Sequence, residues 1–87
     1  MTVDWLDEAL DGLADVYTGD LSLFERRALA ATVERINREL AANPWYLGEE
    51  RDPGYRVWFP GPLQIVFRLV PGGGVEVVEC GPNPPRR

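Results

Sequence analysis

Apolar positions recur at helical spacing in the first half of the chain and alternate like strands in the second. Leu6, Ala9, Leu10, Leu13, Val16 and Tyr17 follow the i, i+3, i+4, i+7 spacing of one apolar stripe, with Glu8, Asp11 and Asp15 opposite. The spacing predicts a helix near 7–17, which Gly12 weakens by about 1 kcal/mol relative to Ala and Thr18-Gly19 ends. Ahead of it, Thr2-Val-Asp-Trp5 alternates like a short strand, although Asp4 could instead cap a helix from Trp5. The reading adopted is an edge strand.

The second helix, near 23–42, has the clearest start. Ser22 and Glu25 fit a capping box, in which hydroxyl and carboxylate each take a free backbone N–H. Leu29, Val33, Ile36 and Leu40 make its stripe, and Glu34 with Arg38 and Arg35 with Glu39 are i, i+4 pairs on the outside. Asn43-Pro44 closes it, because the residue before proline is pushed out of the helical region. Pro44 to Gly54 reads as a loop carrying the charged run Glu49–Asp52, with Trp45 and Tyr46 expected to plug the underside of the helix layer.

Three strands follow, Tyr55–Phe59, Leu63–Val70 and Val75–Cys80, joined by Pro60-Gly-Pro62 and Pro71–Gly74. Such short links allow only antiparallel hairpins. Tight turns would set Phe59 opposite Leu63, Val57 opposite Ile65, Val70 opposite Val75 and Arg68 opposite Val77. One face then carries Tyr55, Val57, Phe59, Leu63, Ile65, Phe67, Leu69, Val78 and Cys80, and must take the helices. The other carries Arg56, Trp58, Gln64, Val66, Arg68, Val75, Val77 and Glu79, with no second helix layer to cover it. The expected fold is therefore α+β: two N-terminal helices on one face of a three-strand antiparallel meander, with a short edge strand added. Residues 1–80 are expected to form a single domain and 81–87 a loose Pro/Arg tail that cannot extend a strand ladder.

Composition narrows the chemistry. The 87 residues carry 14 acids and 9 bases, all Arg, for a net charge of −5, and the 45% hydrophobic content is ordinary for a folded chain. Without His there is no Ser-His or Cys-His nucleophile pair, and the usual zinc sites go too. No metal or cofactor is expected. The lone Cys80 suits a reducing compartment and should act as a small apolar residue. No apolar run reaches the roughly 18–20 residues that span a bilayer, so a cytoplasmic location is expected. Residues 1–24 hold six acids and no base, whereas the remainder is almost neutral. That acidity is the wrong sign for long-range attraction to nucleic acid. The acidic helix reads either as a solvated face or as a surface that mimics nucleic acid or docks a basic partner.

The order of motifs resembles the RelE/ParE superfamily of bacterial toxin–antitoxin toxins. The matching stretches are Val3-Asp-Trp5 into Ala9-Leu10 and Leu13-Ala14, then Ile36 to Leu40 with Asn43-Pro44, and Gly48-Glu49 with Arg51. Gly54-Tyr55-Arg56-Val57, Leu63–Leu69 and Gly74–Val78 follow, so the resemblance runs from about residue 2 to 80. It implies a toxin-like subunit with a cognate antitoxin, a ribosome or gyrase target, or a homodimer, and no membrane. Members that cleave mRNA on the ribosome use bases on the uncovered sheet face and a Tyr or His near the C-terminus. Here the strand position of a catalytic Arg is Gln64, no Tyr or His follows Tyr55, and the tail offers only Arg86 and Arg87. Arg56, Arg68 and Glu79 are the remaining catalytic candidates, with Glu79 as base and Arg68 steadying phosphate, but the acid is missing. A gyrase-poison-like reading, binding without a nuclease centre, demands less.

The binding candidates are Arg51, Arg56, Trp58, Gln64, Val66, Arg68 and Val77. Arg56 and Arg68 would form a carboxylate or phosphate clamp, or pair with Glu79 and a loop acid as surface salt bridges. Trp58 would be an interface anchor, or lie under the tail or a second copy. The competing function is a non-toxic acidic inhibitor or adaptor on the same scaffold.

Overall fold

Ser22 accepts the Glu25 backbone N–H and Glu25 accepts the Ser22 N–H, both at 3.1 Å, so the expected capping box opens the long helix. The computed structural model describes residues 1–83. In chain order it contains β1 (Thr2–Trp5), α1 (Asp7–Tyr17), α2 (Leu23–Ala42), a 3-10 turn (Pro44–Tyr46), β2 (Glu49–Asp52), β3 (Tyr55–Trp58), β4 (Leu63–Val70) and β5 (Gly74–Pro82). Both helices match their expected limits. Among the described residues, no helix is long and apolar enough to cross a membrane.

The strands form one sheet in the order β1-β5-β4-β3-β2. β1 is the expected edge strand and runs parallel to β5, while the other pairs are antiparallel. The charged run expected to be loop is the opposite edge strand, β2, with all four side chains exposed. An edge lined by charges resists pairing with another sheet. The end of the third strand also differs from expectation. Gly81 and Pro82 do extend the ladder, opposite Gln64 and Leu63, and Asn83 N–H bonds the Pro62 carbonyl at 2.8 Å. Pro82 is at the free end of the ladder, where its missing N–H removes no interior bond. The rest of the expected tail, with Arg86 and Arg87, lies outside the described residues.

The core gathers on one sheet face. Leu63, Ile65 and Phe67 of β4 are fully buried with Val75 and Val77 of β5, under Ala9 and Val16 of α1 and Leu29, Ile36 and Leu40 of α2. Leu10, expected in the α1 stripe, is instead 46% exposed. The Arg35–Glu39 pair forms at 2.6 Å, whereas among the described residues Glu34 and Arg38 form no ion pair. Gly12 has a purpose that its low helix propensity hides. A Cβ there would lie 2.0 Å from the Cys80 carbonyl oxygen. Its absence lets α1 settle against the length of β5 that β1 leaves uncovered. Trp45 and Tyr46, expected as plugs, are 51% and 84% exposed. The buried member of that turn is Pro44.

Two one-residue offsets rearrange the faces. Between β3 and β4 the chain turns over Pro60–Leu63, where Leu63 N–H bonds the Pro60 carbonyl at 3.2 Å and Gly61 takes a φ of +58°. Trp58 is therefore opposite Ile65 and Val57 opposite Val66, one residue away from the tight-turn register. A slip of one flips every side chain of a strand. Between β4 and β5 the turn is one residue shorter than expected, so Val70 faces Gly74 and Phe67 faces Val77. A bulge at Val78 then restores the expected pairing of Val66 with Glu79 and Ile65 with Cys80.

Candidate functional site on the open sheet face

These offsets decide which side chains share the uncovered face. Trp58 turns inward, packs on the core and lies under the Arg35 guanidinium, 5.8 Å from its ring centroid. Arg56, two residues away on the same side of β3, donates from Nε to the Leu47 carbonyl at 2.8 Å and from Nη2 to the Gly48 carbonyl at 3.1 Å. It anchors the loop that leads into β2. Val77 is fully buried, and so is Val75. Arg56, Trp58 and Val77 therefore leave the expected site, and the Arg56–Arg68 clamp does not form. The cause is the pair of turn lengths.

Arg51, Gln64, Val66, Arg68 and Glu79 remain. Tyr55, Val57, Glu76 and Val78 join them, residues that tight-turn counting had put elsewhere or left out. Arg51, Asp52, Tyr55, Val57, Val66, Val78 and Glu79 line one groove. Gln64 and Glu79 border a neighbouring depression. Arg68 stands opposite both Tyr55 and Glu76. Its Nε donates to Glu76 Oε1 at 2.6 Å, its Nη1 donates to the Tyr55 hydroxyl at 3.3 Å, and the guanidinium lies 5.9 Å from the Tyr55 ring centroid. The hydrogen bond that Arg68 donates to Glu76, helped by the one to Tyr55, raises the Arg68 pKa above its ordinary value. The guanidinium is thus already neutralised by a carboxylate, and an anionic ligand must compete with Glu76 for it. Arg51 is the freer cation, with Glu49 only at 3.6 Å and more than half its side chain exposed.

Chemically, the groove offers an aliphatic floor, a phenol, two carboxylates and a guanidinium. Tyr55 accepts from Arg68, which leaves its own O–H free to donate. Cys80 takes no part. It packs beside the core, and burial pushes its thiol up to about 11. The signal that could have found Tyr55 and Val78 is one the sequence does carry. Gly61 in the first turn, and Gly72 with Gly73 in the second, take positive φ and allow each turn one residue more or less than the tightest count.

Two helices lie on one side of a mixed five-stranded sheet, with the other side open among the described residues. Solved structures that share this fold include three named for toxins or toxin–antitoxin systems. The chain resembles a structure of the chromosomal ParDE toxin–antitoxin system from P. aeruginosa with a TM-score of 0.75 and 20% identity, over 94% of this chain and 95% of that one. It resembles the RelBE2 toxin–antitoxin complex of Mycobacterium tuberculosis at 0.69 and 21% identity, over 93% and 88%. The YoeB/ParE toxin from Agrobacterium tumefaciens gives 0.67 and 19% identity, over 93% and 96%. At these identities the likeness is one of fold. Neither a protein-family model nor a curated protein matches the sequence.

Proposed function

We propose that the chain is the toxin-like subunit of a type II toxin–antitoxin pair and acts by binding its antitoxin and a large cellular target. The observation that carries this reading is the near-complete overlap with the ParDE neighbour, 94% of this chain against 95% of that one, with no helix over the open face among the described residues. The Arg68–Glu76 pair supports recognition over cleavage, because the central guanidinium is occupied. An acidic residue from a partner segment would exchange with Glu76 at Arg68, while apolar side chains settle on Val57, Val66 and Val78. Gyrase, the ribosome and a second copy of the chain are the targets that this fold brings into question.

The test is expression in a bacterial host, alone and with the product of the adjacent reading frame. Growth arrest relieved by co-expression, together with co-purification that a Tyr55→Ala/Arg68→Ala variant loses while melting like the parent, is the expected result. Absence of both arrest and partner would move the reading to a non-toxic acidic adaptor. Cleavage of mRNA is a second reading with one observation in its favour. Tyr55, the phenol that the strand pattern alone put in the core, shares a groove with Glu79. Ribosome-dependent cleavage abolished by Tyr55→Phe would establish it.

A further inference from the structure

A second surface lies on the helix side. Phe24 is 80% exposed and Leu23 64% exposed, in the first turn of α2. That turn does not fray, because the capping box fixes it. Phe24 borders a groove with Val16, Leu21, Leu29 and Pro62, in which Glu25 is the charged member. Val16 also borders the next depression, beside Asp15 and Pro82. Pro82 in turn borders a third, with Glu8 and the open-face residues Gln64, Val66 and Glu79, where the track rounds the edge of the sheet. The three join end to end along the flank of α1.

Charge in this track has one sign. Among the described residues, its ionised lining groups are Glu25, Asp15, Glu8 and Glu79, and no arginine lines any of the three depressions. Among the described residues, none of the six acids in 1–24 has an arginine within ion-pair distance. Arg26 and Arg27 are exposed in α2 but border none of the depressions. An apolar end with an acidic extension selects its occupant. Nucleic acid is repelled. A second copy docking through the same patch would bring acid against acid, since a two-fold contact pairs identical surfaces. A basic segment is attracted from a distance by the net charge of −5 and held close by the rim.

We propose that this track binds a basic amphipathic helix of a protein partner, with apolar side chains against Phe24 and Leu29 and Arg or Lys along Asp15, Glu8 and Glu79. α1 has 11 residues, so a matching partner helix is about 16 Å long at 1.5 Å per residue. That length gives about three turns and anchors at i, i+3, i+4 and i+7. The proposal goes beyond the preceding reading and stands without it, because its apolar end at Phe24 and its acids Asp15 and Glu8 lie outside the open-face groove, which it meets only at Val66 and Glu79.

The test uses the full chain and a fluorescein-labelled synthetic helix of about three to four turns, with Leu at those anchor spacings and Arg elsewhere. Fluorescence anisotropy is read against a scrambled peptide of the same composition and a version with Glu for every Arg. Saturable binding about tenfold or more tighter than the scrambled peptide is expected, with about a tenfold loss in Phe24→Ser. Asp15→Asn with Glu8→Gln should weaken binding at low salt and flatten its salt dependence. Both variants change exposed residues, and unchanged melting curves will confirm that they fold. The proposal is overturned if binding does not saturate by about 1 mM, if the scrambled or Glu peptide binds as well, or if Phe24→Ser binds like the parent. A Phe24-dependent dimer in sedimentation without peptide would also overturn it, in favour of self-association.

Discussion

β4 contributes to both faces of the sheet, and its two sets of side chains have different fates. Leu63, Ile65 and Phe67 are fully buried beneath the helices, while Gln64, Val66 and Arg68 between them stay half-exposed. The covered side is held by close packing, where each methylene removed leaves a void. The open side is held by a few cross-strand contacts and the Arg68–Glu76 pair, which solvent screens. Stability therefore belongs to one side and freedom to vary to the other, although both sides belong to the same eight residues.

The strongest way to test this contrast is Phe67→Ala. Truncation should cost about 3–5 kcal/mol through lost burial and the cavity left behind. For a domain with only about 5 kcal/mol or a little more in total, circular dichroism should show a largely unfolded chain at 25 °C. A melting temperature within a few degrees of the parent would contradict the burial of Phe67. Next comes the aromatic pair of β3. Trp58→Ala should lose about 2–3 kcal/mol yet still co-purify with a partner of the open face. Tyr55→Ala should do the reverse, with little change in melting and a weakened complex. Equal effects of the two would show that β3 does not have the register described.

Gly12→Ala tests the boundary where α1 meets β5. By helix propensity alone the change would stabilise by about 1 kcal/mol. The new methyl would instead meet the Cys80 carbonyl at 2.0 Å, which no side-chain movement relieves. A net loss of about 1–3 kcal/mol in urea unfolding is expected. A gain would mean that α1 sits farther from β5. The smallest effect is chemical. Since burial raises the Cys80 thiol to about 11, its alkylation by iodoacetamide at pH 8 should be slow in the folded chain and fast in urea. The folded-state rate should climb with pH until about 11. A plateau near pH 9 would indicate an ordinary exposed thiol.

Much of this architecture was legible before any coordinates. Both helices, the capping box at Ser22, the meander and the inward set of β4 all followed from spacing, because an apolar stripe has a single way to be buried. The open-face site was legible only in part. Arg68, Val66 and Gln64 were placed correctly by the alternation of β4 itself. Arg56, Trp58, Val75 and Val77 were not, because their facing depends on how many residues each turn consumes. Gly61, and Gly72 with Gly73, permit more than one count, and alternation within a short strand cannot choose between them. In β3, Tyr-Arg-Val-Trp can bury either pair, since each pair contains one aromatic residue. What chose was the room under α2, where Trp58 fills space that Tyr55 would otherwise have to fill with its hydroxyl in the core. The run Glu49–Asp52 was missed as a strand because its polarity looks like a loop, although an edge strand facing water on all sides needs no apolar residue.

Val78 is, in effect, a surplus residue. On one side of it Val77 meets Phe67, on the other Glu79 meets Val66, and those partners are themselves neighbours in β4. Excising Val78 would leave every one of these pairings intact and the ladder simply regular. The hydrophobic interior has no use for the insertion. Its product is a second consecutive side chain on the exposed surface, giving the groove beside Tyr55 a denser wall than a regular strand could build. The backbone here carries one residue more than folding requires, and that extra residue is available to recognition.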